Sequence, residues 1–322
     1  MRVLFATLLL AAGAASAADD DLRKTAAGLF GRLEAPAAVL TPEAALGRAL
    51  FWDTRVSRDG KTACASCHAA ATWGADTRVF PIDARGKPTA RRSPSVFNSM
   101  SAASLRWVGD RKDGAAQAEG SITGSLGFDT RDVALARLKE LEYLAAFRRA
   151  YPNDPDPLTL QNYGRSLAAY QATLVTPSAF DRFLGGDDNA LSAKQKSGLR
   201  TFVATGCGGC HSGKLFGGTS LQRFGIVKEY WQETGSKTPD LGRYLVTKKD
   251  EDRYVFRVPI LRNIAKTGPY FHDGSVATLE RAVRVMASVQ LGRTLDDGAA
   301  GDIVAFLESL TGEVPKHYAP PE

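Results

Sequence analysis

Apolar residues recur at helical spacing over most of this chain, and alternating stretches are few and short. Thr41-Pro42 precedes Ala44, Ala45, Leu46, Ala49, Leu50 and Phe51, which predicts a helix over 43–51 with Thr41 as its cap and proline at the first position. Between Arg131 and Tyr151, the residues Val133, Leu135, Leu138, Leu141, Leu144, Ala145 and Phe147 fall mostly on one helical face, and Pro152, Pro155 and Pro157 stop it. A further helix is expected from about Leu158 to Leu174, with Leu160, Tyr163, Leu167, Ala168 and Tyr170 toward a core. Ser192 caps another that reaches Phe202. Thr278 opens one carrying Leu279, Ala282, Val283 and Met286, and the last spans Ala299 to Leu310. Strand signals are weak and short, as over 253–258. By contrast, Asp53 to Asp129 is rich in Gly, Ser, Arg and Pro with little periodicity, and so long a loop needs something such as a buried cofactor to organise it. The expected fold class is mainly α with long loops.

The N-terminus has a basic Arg2, a short apolar run from Val3 to Ala12 and the small-residue exit Ala15-Ser16-Ala17. This pattern predicts a cleaved signal peptide over 1–17 and a periplasmic mature protein, with no later stretch able to span a bilayer. Gly185-Gly186-Asp187-Asp188-Asn189 is turn-rich, so domains are expected at 18–185 and 186–322. Hydrophobic residues make up 44% of the 322 and charged residues 24%, an ordinary globular balance. The formal charge of +6 is modest, and the basic pairs Arg91-Arg92 and Lys248-Lys249 form no stripe of the kind nucleic acid requires.

All four cysteines fall in two copies of one motif, Cys64-Ala65-Ser66-Cys67-His68 and Cys207-Gly208-Gly209-Cys210-His211, each preceded by a helix. Cys-x-x-Cys-His attaches c-type haem: two thiols bond the porphyrin vinyl groups and the adjacent histidine reaches the iron. Zinc would want the pairs closer in sequence, and neither a thioredoxin-like pair nor a disulfide explains both histidines. The second axial position decides between electron transfer and peroxide chemistry. His272, His317, Met100 and Met286 are the remaining candidates, with His317 expected at the surface and Met286 readable equally as helix core.

With Thr267-Gly268-Pro269-Tyr270-Phe271-His272-Asp273-Gly274-Ser275 added to these motifs, the chain resembles the bacterial di-haem cytochrome c peroxidases and their relative MauG, which matures methylamine dehydrogenase. Matching segments also include 48–57, Ser93-Pro94-Ser95-Val96-Phe97-Asn98 and 257–263, so the likeness covers about Leu46 to Leu310. The resemblance implies two cytochrome c-like domains holding one haem each. It implies peroxide reaction at the haem on Cys64, Cys67 and His68, and electron entry at the haem on Cys207, Cys210 and His211. It further implies Met286 as the second ligand of the C-terminal haem, where MauG has tyrosine, and Trp107 as a relay between the haems. His272 would be a structural or proton-handling residue near them. Calcium between the haems would take Asn98 and the carbonyls of Thr267 and Pro269. The resemblance also implies a small cytochrome c or copper protein as electron donor, and a homodimer.

Two departures stand out. Resting relatives often close the N-terminal haem with a histidine about sixteen residues after the proximal one, yet this chain has none between His68 and His211. The family also places a glutamate over the peroxide-binding iron. Here Gln117-Ala118-Glu119 keeps the start of that segment, but Gly127 stands where the acid belongs. Gln117 can hydrogen-bond a bound oxygen species without acting as an acid, and Glu119, Asp129 and Asp132 are the carboxylates nearby in sequence. The first expectation is reduction of hydrogen peroxide to water. The alternatives are MauG-like oxidation of a protein or other substrate, with two oxidising equivalents stored across the haems, and a non-enzymatic electron carrier or redox sensor.

Overall fold

The computed structural model describes residues 19–35 and 39–322; the signal peptide expected at 1–17 lies outside the described residues. A first helix, α1, covers residues 19–29. Next comes α2 (Pro42–Trp52), whose Thr41 side chain accepts the Ala44 N–H with proline at the first turn. The stretch read as loop from Asp53 to Asp129 holds a ten-residue helix, α3 (Gly114–Thr123), capped by Asp113. Short 3-10 turns at Cys64–Ser66, Ala70–Thr72 and Ser99–Ser101 also lie in this stretch.

The helix expected from Arg131 to Tyr151 is two, α4 (Arg131–Glu140) and α5 (Leu144–Ala150). Between them Glu142 adopts φ 59°, a left-handed conformation that no helix continues through. Val133 and Leu144 are exposed, against the helical-face reading. Then follow α6 (Leu160–Ala172) and α7 (Ala179–Leu184). In α8 (Ala193–Thr205), Ser192 and Gln195 form a reciprocal capping box. The short helices α9 (Tyr230–Thr234) and α10 (Tyr244–Thr247) lead to α11 (Leu279–Leu291) and α12 (Asp297–Glu308). Strands β1 (Leu221–Arg223) and β2 (Val255–Arg257) pair antiparallel, with Gln222 opposite Phe256.

The two cysteine motifs sit in two similar helix pairs. Helix α2, which precedes Cys64, crosses α6 at Gly47, where an added Cβ would lie 1.9 Å from the Ser166 carbonyl oxygen. Helix α8, which Gly206 joins to Cys207, crosses α12 at Gly198, where a Cβ would lie 1.8 Å from the Asp302 oxygen. Both crossings are backbone to backbone, which only glycine permits.

Two large cores surround these pairs, and they do not follow a cut at 185/186. The first joins Leu50, Phe51, Phe97, Tyr163 and Tyr170 to Tyr318 from the C-terminal tail. The second joins Phe202, Phe216 and Phe306 to Leu22, Ala26 and Phe30 from the N-terminus and to Phe180 and Phe183 of α7. Helix α1 and Tyr318 thus each pack in the opposite half. A third cluster, with Val108, Phe224, Tyr230, Phe256 and Val285 buried and Trp107 and Met286 against it, fills the space between.

Candidate active site and electron-transfer junction

The loop before the first motif is folded around Asp59, whose carboxylate accepts from the Ser57 and Thr62 hydroxyls and the Lys61 and Thr62 N–H groups. Partial burial opposes its ionisation, but these donors outweigh that and hold its pKa at about 2. The turn that follows places Cys64, Cys67 and His68 on one cavity of about 440 Å³. His68 Nδ1 lies 2.8 Å from the Gly74 carbonyl, so Nδ1 carries the proton and Nε2 keeps its lone pair free. The second motif repeats this geometry: Cys207, Cys210 and His211 line another cavity, and His211 Nδ1 meets the Phe216 carbonyl at 3.0 Å. Burial lowers both imidazole pKa values, favouring the neutral, ligating form. It pushes the Cys64 thiol up to about 12 and the Cys207 thiol to about 11, far from a reactive thiolate.

These residues fit haem. Each cavity supplies two free thiols and a pre-oriented imidazole. Buried donors that the protein leaves unpartnered, Arg92 Nε and Arg257 Nη1, belong to side chains lining both cavities and suit the haem carboxylates. Because the cysteine pairs occupy separate cavities, they assemble no shared zinc site. Met286 lines the same cavity as His211. His317 instead bonds the Thr173 hydroxyl at 2.9 Å and packs on Tyr170, half-buried and lining neither cavity.

Trp107 forms part of both cavity walls. Its indole N–H donates to the Arg92 carbonyl at 3.0 Å, and its own carbonyl accepts the Arg257 N–H at 2.7 Å. His272 lies on the C-terminal side, 2% exposed, stacked on Phe256 with ring centroids 4.4 Å apart and edge-on to Trp107 at 6.2 Å. Its Nε2 has no hydrogen-bond partner and lies 3.7 Å from Asp240, which Arg91 holds through two bonds. Burial lowers its pKa against the opposing pull of Asp273 and Asp240. His272 thus packs between Trp107 and the Arg91–Asp240 pair.

Helix α3 brings Gln117 into the N-terminal cavity with its Oε1 buried and unpartnered. None of the three carboxylates nearest in sequence lines that cavity. Glu119 pairs with Arg131, Asp129 pairs with Arg58, and Asp132 is exposed. Asp83 lines it instead. Burial works against the Asp83 anion, but the Lys87 and Arg85 N–H groups and the Arg85 guanidinium lower its pKa overall, so it is a poor proton donor. Gly127 adopts φ 75° and abuts Ala84 and Arg85.

Two of the three oxygens inferred for calcium, the carbonyls of Thr267 and Pro269, converge on one point. Asn98 spends both ends of its amide on Thr176, accepting its N–H at 2.9 Å and donating to its hydroxyl at 2.8 Å. The Thr267 and Pro269 carbonyls accept from the Arg92 guanidinium. Sequence reading also passed over Arg92, Arg257 and Arg111, although six arginines line the N-terminal cavity against one carboxylate among the described residues. The density of arginine between 85 and 111 was the available signal.

Comparison with known proteins agrees with this arrangement. A family model described as "Di-haem cytochrome c peroxidase" matches residues 41–189. The chain is 42% identical to the cytochrome c551 peroxidase of Pseudomonas aeruginosa, over 84% of this chain and 79% of that one. The chain belongs to the di-haem cytochrome c peroxidase and MauG family. It is also 33% identical to the methylamine utilization protein MauG of Methylorubrum extorquens, over 94% of this chain and 89% of that protein. A solved MauG-like protein associated with microbial copper homeostasis shares the fold, with a TM-score of 0.76 and 24% identity over 90% of this chain and 97% of that one. Family membership establishes a di-haem oxidoreductase of mainly helical fold with two c-type haems. No helix among the described residues is long and apolar enough to cross a membrane.

Proposed function

We propose that this protein is an exported, periplasmic peroxidase that reduces hydrogen peroxide to water with electrons from a small cytochrome c or copper protein. The observation that carries this reading is Trp107, a single side chain in the walls of both cysteine–histidine cavities. Bound haem would supply peroxide binding at the N-terminal site and electron storage at the C-terminal one. Met286, in the same cavity as His211, supports an electron-transfer role for the second site. In the first, Gln117 Oε1, buried and unpartnered, would be available to accept a hydrogen bond from a bound substrate. Arg111, whose guanidinium lies over Gly120 of α3, would supply positive charge in the same cavity. Reduction consumes two protons and two electrons per peroxide, and the cavity holds no neutral acid among its described lining residues to deliver the protons.

That shortage favours a second reading, MauG-like oxidation of a protein or other substrate, in which slow peroxide turnover is tolerable. Stopped-flow mixing of the di-haem protein with hydrogen peroxide, with and without a reduced small cytochrome c, separates the two. Rapid multiple-turnover oxidation of the donor is the expected result. A long-lived oxidised protein with little donor turnover would give the second reading precedence, and no reaction in either case would leave a carrier or sensor.

A further inference from the structure

A row of aromatic side chains leads from His68 through the first core to a half-buried indole. The Tyr318 hydroxyl donates to the His68 carbonyl, and the Phe51 ring centroid lies 6.5 Å from that of the imidazole. Phe51 and Tyr318 are 5.7 Å apart, and Tyr318 meets Trp52 edge-on at 5.3 Å. Trp52, half-buried, donates its indole N–H to the Tyr170 hydroxyl at 3.3 Å. Tyr318, Trp52 and Tyr170 line neither cysteine–histidine cavity, so their places are set by core packing. We propose that this row is an exit for oxidising equivalents, with Trp52 as its outer terminus. When no reduced donor is present, peroxide consumed at the His68 site draws electrons from Trp52 by way of Tyr318 and Phe51.

The surroundings of each ring select Trp52. Rings packed this closely let an electron cross in short steps. An indole can lose an electron and hold its proton for a time, whereas a phenol must give its proton up. The Tyr318 and Tyr170 hydroxyls reach only the carbonyls of His68 and His317, which take up no proton, so the equivalent does not come to rest on either phenol. Trp73 also packs against this core, but the Lys266 ammonium lies 5.3 Å from its ring centroid and disfavours a second positive charge there. The polar neighbour of the Trp52 indole is the neutral Tyr170 hydroxyl. The chemistry balances. Peroxide takes up two electrons and two protons to give two waters. Loss of one electron leaves Trp52 an indole radical; loss of a second, with release of two protons and uptake of one water, leaves hydroxytryptophan. One peroxide thus oxidises one Trp52 and yields one net water.

This inference rests on the peroxide-reactive reading of the His68 site, and the test separates the two. The fully oxidised two-haem protein, grown with ring-deuterated tryptophan, is mixed with hydrogen peroxide without a donor and frozen at successive times for EPR. If peroxide leaves the optical spectrum of the wild-type protein unchanged, the underlying reading fails and the inference with it. Where the spectrum responds, an indole radical is expected, recognised by its narrowing on deuteration. It should be lost in Trp52→Phe, diminished in Tyr318→Phe, which keeps the ring but not the bond to His68, and suppressed when a reduced small cytochrome c is added first. Peptide mass spectrometry of the peroxide-treated wild type should find one added oxygen on Trp52, a measurement that needs no variant to fold. A spectral response with no indole radical, a radical that persists in Trp52→Phe and disappears in Trp107→Phe, or oxygen added elsewhere but not to Trp52 would overturn the inference.

Discussion

The N-terminal cavity is rich in cations and poor in groups that can pass a proton. Its one lining carboxylate among the described residues, Asp83, has its oxygens occupied by Arg85 and Lys87 donors. Gln117 is better aimed, with a buried oxygen free, but an amide does not titrate in the working range. Gln117→Glu places a titratable oxygen where that amide stands. It should raise the rate of the peroxide reaction by about 10²-fold, the lower end of what a positioned acid–base group contributes. Stopped-flow loss of the resting spectrum on peroxide addition measures this, and an unchanged rate would show that protons do not limit the step. Gly127 is the less favourable site for such a repair. A side chain there must accept φ 75° and meet Ala84 and Arg85 at 3.1 and 3.2 Å. Trp107→Phe keeps the aromatic wall but removes the indole N–H that reaches the Arg92 carbonyl. Both haems should remain bound while electron transfer between them slows, as followed by flash reduction of one haem; equal transfer in the variant removes Trp107 from the path. The cysteines and histidines of these cavities were legible because their chemistry is written in five adjacent residues. Arg92 and Arg257 were not: their partners lie up to 177 positions away, and nothing local distinguishes a buried arginine from a surface one.

At the scale of elements, the two cavities depend on helices that cross too closely for any side chain. Most of these helices could be read from capping residues and apolar spacing: Thr41, Ser192 and Thr278 each accept a first-turn N–H as their chemistry suggests. What escaped was conformational or compositional. Glu142 breaks a periodic stretch through a left-handed residue that no composition rule marks, and α3 lay hidden among glycines and polar residues. The glycines at the crossings also look unremarkable in sequence, since Gly47 and Gly198 sit inside good helices where glycine is mildly unfavourable. Gly198→Ala should therefore gain helix propensity locally and still destabilise the protein. Its Cβ would lie 1.8 Å from the Asp302 oxygen and push α8 off α12, costing on the order of 1–3 kcal/mol or more. Thermal unfolding followed by circular dichroism of the haem-loaded variant checks the sign. A neutral or higher midpoint would mean that the crossing relaxes freely.

Across the whole molecule, a segment near each end of the described chain is buried in the half it does not belong to in sequence. Helix α1 seals the second core with Leu22, Ala26 and Phe30, while Tyr318 enters the first core 3% exposed. Tyr318 packs edge-on against Trp52 and Phe97, and its hydroxyl donates to the carbonyl of His68. The proline-rich tail after α12 gave no periodic signal of such burial, which is why a simple cut at 185/186 looked adequate. The consequence is mechanical: neither half can open without pulling one of these segments out of the other. The tail also reaches the residue that presents an imidazole to the N-terminal cavity. Tyr318→Ala should destabilise the protein by about 3–5 kcal/mol, as expected for emptying a packed aromatic site. The loss should not be even. The N-terminal haem's spectrum should change at temperatures where the C-terminal haem's is still native, splitting one unfolding transition into two. Following the two haems separately by EPR through a thermal series reads this out. A single transition, merely shifted, would mean that the α1 contacts alone keep the halves coupled.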